Sequence, residues 1–181
     1  MGTISASINV TPDGFCNHDD VIADDEFARI GARTATDADR LLLGRNTYEL
    51  FEPYWPRAAR DESLPPAQRD LGKAIDGTPR TVVSRSMEVS HWAGTDILRD
   101  FDAASAGRLA EQDDVLVFGS PSIIRQLGEW DMLDRLWIFV HPMLSGSGVR
   151  LFEPGLASAP GLNLKELSGL ASGVQIFEFG R

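Results

Sequence analysis

Apolar and polar residues alternate at the start of the chain: Ile4, Ala6, Ile8 and Val10 are interleaved with Thr3, Ser5, Ser7 and Asn9. A two-residue period places the two sets on opposite faces of a strand. Thr11-Pro12-Asp13-Gly14 ends it with turn chemistry, and a polar loop follows through Asn17-His18-Asp19-Asp20. Asp24 or Asp25 then caps a helix that carries Phe27 and Ile30 on one face. Leu41-Leu42-Leu43 is fully apolar and closes on Gly44, the pattern of a strand buried on both sides. Asn46 to Trp55 predicts one helix with Tyr48, Phe51 and Trp55 near one side. Pro56 to Gly77 is polar and Pro-rich, and reads as a long loop with a short helix around Gln68 to Ile75.

The second half continues the alternation. Thr81-Val82-Val83 and Asp96-Ile97-Leu98 predict strands, and Ala103 to Gln112 predicts a helix with Ala106, Leu109 and Ala110 inward. Val115 to Phe118 is the second purely apolar strand, and Ser120 and Pro121 suit the start of a helix reaching about Gly128. From Leu133 onward only strands are predicted: Leu136 to His141, Leu162 to Leu167, and Val174 to Phe179 after a Gly169 to Gly173 turn. The expected class is therefore α/β, with a mostly parallel sheet, antiparallel strands at one edge and helices on both faces. No linker divides the chain, so one domain over residues 1–181 is expected.

Charge narrows the partners. With 27 acidic and 17 basic residues the net charge is −10, which opposes nucleic-acid binding. Any phosphate site must be local, built from backbone N–H groups and a few arginines. Runs such as Val115-Leu116-Val117-Phe118 are too short to cross a bilayer, and no secretory signal is visible, so a cytoplasmic protein away from membranes is expected. The one cysteine, Cys16, forms no internal disulfide and fits a reducing compartment. His18, His91 and His141 lack metal-ligand spacing, so no metal is expected. Neither a Walker A sequence nor a Gly-x-Ser-x-Gly elbow is present. Gly146-Ser147-Gly148 lacks the following helix that a dinucleotide loop requires.

Ligands of open α/β sheets bind beyond the carboxyl ends of the strands. Two such junctions, Leu43-Gly44-Arg45-Asn46-Thr47 and Phe118-Gly119-Ser120-Pro121-Ser122, join an apolar strand to a helix start through glycine and hydroxyl residues. Side by side, two helix starts can hold the two halves of a dinucleotide. Either glycine alone serves a tight turn equally well. Ser84-Arg85-Ser86 ends a third strand with a guanidinium suited to the 2′-phosphate that marks NADP.

Thr11-Pro12-Asp13-Gly14-Phe15, Gly44-Arg45-Asn46-Thr47-Tyr48-Glu49, Val82-Val83-Ser84, Phe118-Gly119-Ser120 and Leu144-Ser145-Gly146-Ser147-Gly148 with Leu151-Phe152 occur in that order. In this the chain resembles the dihydrofolate reductase-like superfamily. It is most similar to stand-alone proteins resembling the C-terminal reductase domain of the riboflavin-pathway bifunctional deaminase/reductase. The resemblance implies a three-layer fold and NADPH as cofactor. It assigns Gly44, Arg45, Thr47, Gly119, Ser120, Ser122 and Ile123 to the cofactor phosphates and nicotinamide side, and Ser84 and Arg85 to the 2′-phosphate. Asp13 and Gly14 would open a loop over the nicotinamide. Among Asp24, Asp25 and Glu26, Asp25 is the nominal proton donor. Asp13, Tyr48, Phe51 and Trp55 are candidate substrate contacts, although an aromatic stripe at helical spacing also suits a core. The implied activity is an NADPH-dependent reduction of a small heterocycle, as by 5-amino-6-(5-phosphoribosylamino)uracil reductase or dihydrofolate reductase. The alternative is a non-catalytic NADP(H)-binding sensor. The resemblance also implies a homodimer through the late antiparallel strands. One departure stands out: dihydrofolate reductases carry Gly-Gly where this chain has Gly119-Ser120.

Overall fold

In the computed structural model, which describes residues 2–152 and 161–181, the first alternation becomes strand β1 (Ile4–Val10). Its apolar set is buried, and Ser5, Ser7 and Asn9 are half-buried on the other face. Helix α1 (Asp25–Thr36) follows, capped by the Asp24 carboxylate, which accepts from the Phe27 N–H at 2.8 Å. Strand β2 (Arg40–Gly44) leads to the short helices α2 (Arg45–Phe51) and α3 (Trp55–Ala58), then to α4 (Pro66–Gly77). Strands β3 (Arg80–Val83) and β4 (Thr95–Leu98) precede α5 (Ala103–Gln112), β5 (Val115–Phe118) and α6 (Pro121–Glu129). The chain closes with β6 (Arg135–Val140), β7 (Asn163–Gly169) and β8 (Gln175–Gly180).

The eight strands form one sheet in the order β4-β3-β2-β5-β1-β6-β8-β7. Every pairing from β4 to β6 is parallel, and β8 runs antiparallel to both β6 and β7. This is the expected α/β architecture. Alternation sorts the two faces: Leu42, Val115 and Val117 pack with Ile123, Ile124 and Leu127 of α6, and with Ala106 and Ala110 of α5. Leu41, Leu43 and Leu116 point the other way, onto Ala28 and Ala35 of α1 and Leu71 and Ile75 of α4. The sheet is thus covered on both sides, as parallel strands require.

Two expectations need correction. The helix expected over Asn46 to Trp55 is two pieces, broken at Glu52-Pro53-Tyr54. Proline removes an N–H and clashes with the preceding turn, so the helix ends there. The short helix expected around Gln68 to Ile75 within a Pro56 to Gly77 loop is present but longer, running from Pro66 to Gly77, and the start of that loop is helical in α3. Proline is tolerated in the first helical turn, so Pro66 begins α4, with Ala67, Leu71 and Ile75 buried at helical spacing. Gly72 lets α4 approach the segment after α3, since a Cβ there would lie 2.7 Å from the Ala59 nitrogen. The expected strand start at Leu162 lies one residue before β7, and residues 153–160 lie outside the described residues.

Candidate active site

Strands β2 and β5 lie side by side, so their carboxyl ends present the two glycine junctions to one cleft. That cleft measures about 930 Å³ and is lined by Gly44, Arg45, Thr47, Ser120, Ser122 and Ile123, among others. The junctions are tied through Ser120. Its hydroxyl oxygen accepts from the Gly44 N–H at 2.7 Å and the hydroxyl donates to Thr47 Oγ1 at 2.8 Å. The expected N-cap bond to its own helix is not made. Gly119 and Ser120 both occupy the left-handed region, at φ +72° and +63°. Such a backbone costs a non-glycine residue roughly 1–2 kcal/mol, and the two hydrogen bonds offset it. Pro121 has no N–H and the Ile123 N–H is bonded to the Ser120 carbonyl at 3.0 Å. The Ser122 amide therefore remains at the mouth of α6 without an intrahelical partner. Helix α2 has only 7 residues, and its contribution is side chains: Arg45 is held by Glu49 at 2.7 Å and Ser86 at 2.7 Å.

Ser84 and Arg85 line a smaller pocket of about 390 Å³ that shares Val83 and Gln126 with the cleft. The Ser84 hydroxyl accepts from the Met87 N–H at 3.0 Å. Arg99 lines the same pocket and donates to the Arg85 carbonyl at 3.1 Å. The sequence offered no signal for Arg99, which β4 delivers beside β3.

Beneath the cleft lie two further chambers. An inner one of about 130 Å³ is lined by Ser7, Asn9, Phe118, Gly119 and Phe139, and shares Thr47 and Ser120 with the cleft. An aromatic one of about 340 Å³ shares Asn9, Phe27, Leu50, Phe51 and Phe118 with it and is lined also by Tyr54 and Trp55. Phe51 makes edge contacts with Trp55 and Phe118, at 5.7 and 5.8 Å between ring centroids. Two of the three candidate aromatics, Phe51 and Trp55, thus line this chamber.

Tyr48, the third, lines neither chamber. It is buried in the core against Trp92, with its hydroxyl bonded to Glu52 and Ser90. Asp13 lines neither chamber nor cleft; it ties two loops together. Its carboxylate accepts from the Thr11 hydroxyl at 2.6 Å and the Gly146 N–H at 2.7 Å, which hold its pKa below the ordinary range. Asn17 completes this latch, donating to the Ser147 carbonyl at 2.8 Å. The Gly146-Ser147-Gly148 run thus fastens the loop that walls the cleft. Asp25 also stands apart. It faces outward from α1, 3.6 Å from Arg29, and lines none of these cavities.

Among the described residues, no carboxylate lines either chamber. The titratable group common to the cleft and both chambers is His18. Cys16 lines the cleft and the inner chamber, but burial pushes its thiol up to about 11, and it stays protonated at neutral pH. Nothing about the spacing of His18 along the chain distinguishes it from a solvated loop residue.

The family model of the RibD C-terminal domain matches residues 4–176. No curated protein matches the chain. Among solved structures, a candidate riboflavin biosynthesis protein from Shewanella sp. PV-4 superposes with a TM-score of 0.70 at 18% identity, covering 99% of this chain and 98% of that one. A pyrimidine reductase-like protein from Corynebacterium diphtheriae gives 0.65 at 16% identity, covering 99% and 91%. The diaminohydroxyphosphoribosylaminopyrimidine deaminase/5-amino-6-(5-phosphoribosylamino)uracil reductase of Thermotoga maritima gives 0.66 at 15% identity, covering 99% of this chain and 56% of the larger protein. These likenesses establish a shared fold.

Proposed function

Because this chain belongs to the RibD C-terminal domain family, we propose that it is an NADPH-dependent reductase of a small heterocycle. The observation that carries the reading is the Ser120 bridge, which joins two strand-to-helix junctions into one cleft of dinucleotide size. The donor set suits a pyrophosphate: the Ser122 amide, which has no partner among the described residues, the Thr47 and Ser122 hydroxyls, and the Arg45 guanidinium. Gly44 faces Ser120 so closely that a Cβ there would lie 3.1 Å from its hydroxyl oxygen, so a side chain would crowd the bridge. Arg85 and Arg99 flank a pocket that suits a 2′-phosphate, which favours NADPH over NADH.

Reduction of a C=N or C=O bond takes one hydride and one proton. Bound reduced nicotinamide supplies the hydride; the chain's own work is orientation, water exclusion and proton delivery. His18 is the acid in this reading, since it reaches the cleft and both chambers. Phe51, Trp55 and Phe118 stack against the reacting ring and keep water from it. Residues 1–181 act as one domain in this reading, in the cytoplasm. The fully exposed edge strand β7, with Leu164 and Leu167 bare, supports a homodimer through that strand.

Loss of reduced-nicotinamide absorbance on mixing with NADPH and pterin, pyrimidine or flavin candidates tests the reading. His18→Gln is expected to lower kcat by about 10²-fold with NADPH affinity unchanged. Undiminished kcat removes His18 from the chemistry, and tight binding without oxidation of any candidate points to a sensor.

A further inference from the structure

His141 directly follows β6 and is fully buried. Its Nδ1 lies 3.0 Å from the Ile22 backbone nitrogen. A backbone N–H can only donate, so Nδ1 accepts, and the neutral ring carries its proton on Nε2. Burial favours that neutral form, against a weaker opposite pull from Asp24. Nε2 in turn lies 3.0 Å from Asn9 Oδ1, which must therefore accept. The orientation of the Asn9 amide is thereby fixed by a backbone donor two links away. Its Nδ2 has no partner among the described residues, and the side chain lines both chambers.

The chambers are otherwise built for a flat, uncharged molecule. Phe27, Phe51 and Phe118 line both, and Trp55 lines the outer one. Among the described residues lining them there is no lysine or arginine; Arg45 and Arg125 belong to the cleft above. A phosphate placed there would lose its hydration with no lysine or arginine to replace it. We propose that the chambers take an uncharged flat ring that presents a carbonyl oxygen or ring nitrogen to Asn9 Nδ2. His141 is the positioning residue that keeps the amide in its donating orientation. This rests on the reductase reading and names its substrate class, one that excludes phosphorylated sugars.

Calorimetric titration of isoquinoline, naphthalene and 1-naphthyl phosphate into the protein tests it, with NADPH titrated separately. Isoquinoline is expected to bind about five- to tenfold tighter than naphthalene, the ratio one hydrogen bond gives. The phosphate ester is expected to bind at least tenfold more weakly than isoquinoline, on the order of an unpaired charge's cost. Asn9→Leu is expected to abolish the isoquinoline preference and leave naphthalene unchanged. If that variant does not fold, Asn9→Asp keeps the acceptor for His141, removes the donor, and is expected to abolish the preference too. His141→Leu is expected to shrink the same ratio, which a merely structural role would not move. Equal binding of 1-naphthyl phosphate and isoquinoline, or a ratio untouched by the Asn9 variants, overturns the substrate class; a ratio untouched by His141→Leu overturns the positioning role. Failure of NADPH alone to bind removes the reductase reading and leaves these ratios readable, since they need no cofactor.

Discussion

The Ser120 hydroxyl stands 2.7 Å from the Gly44 nitrogen, so a residue at the start of α6 completes the hydrogen bonding of a glycine that ends β2. Ser120 holds this position from a left-handed backbone that glycine would adopt freely. Replacement therefore separates two effects. Ser120→Ala keeps the strain and loses both bonds, at a cost of about 1–3 kcal/mol. Ser120→Gly loses the bonds but sheds roughly 1 kcal/mol of strain. Urea unfolding is expected to rank the proteins wild type, then Gly, then Ala.

Arg45 is half exposed and held by Glu49 and Ser86, poised over the cleft without being buried in the fold. Arg45→Ala is expected to weaken NADPH by about 1.5–3 kcal/mol, the worth of a hydrogen bond to a charged group. Thermal stability should barely move, because an exposed helical ion pair contributes little. Calorimetry and a melting curve on the same preparation check both halves.

Arg85 and Arg99 converge on one pocket from neighbouring strand ends. Their joint replacement by alanine should narrow the ratio of NADPH to NADH affinity by at least about tenfold, since each lost charge-assisted bond exceeds 1.4 kcal/mol. NADH affinity itself should stay constant. An unchanged ratio would place the 2′-phosphate elsewhere.

Acid should destabilise the protein in two stages. Burial depresses the pKa of His141 below its unfolded value of 6.5. The unfolded chain then binds the extra proton first, so stability is full above pH 6.5 and falls as pH drops through the folded pKa. Asp13, Asp24 and Asp114 are likewise depressed, by the Thr11 hydroxyl, the Phe27 N–H and the Thr3 N–H respectively, and their stage begins below pH 3.8. Urea unfolding across pH should show both stages, and His141→Gln should erase the upper one.

Much of this molecule is legible in its sequence, for physical reasons that differ from place to place. The apolar runs at Leu41 and Val115 and the glycines after them mark buried parallel strands and their exits, and both junctions reach the cleft. Asn9 escaped notice because alternation on β1 resembles a sheet with one wet face. Only the placement of β1 between β5 and β6 turns its polar side into a chamber lining. Tyr48 and Trp55 were grouped by helical spacing, but Pro53 breaks the helix between them and Tyr48 turns into the core. Asp25 had the right neighbourhood along the chain; its helix turns it to solvent while a loop histidine reaches the cavities. Composition and pattern report burial well, but not which polar residue faces an interior space.

Amide-resolved NMR spectra recorded with and without NADPH bear most directly on the cleft. Shifts centred on Gly44, Thr47, Gly119, Ser120 and Ser122, with a second set at Ser84 and Arg85, are the predicted result. Saturating NADPH or NADH that leaves those amides unmoved would contradict it.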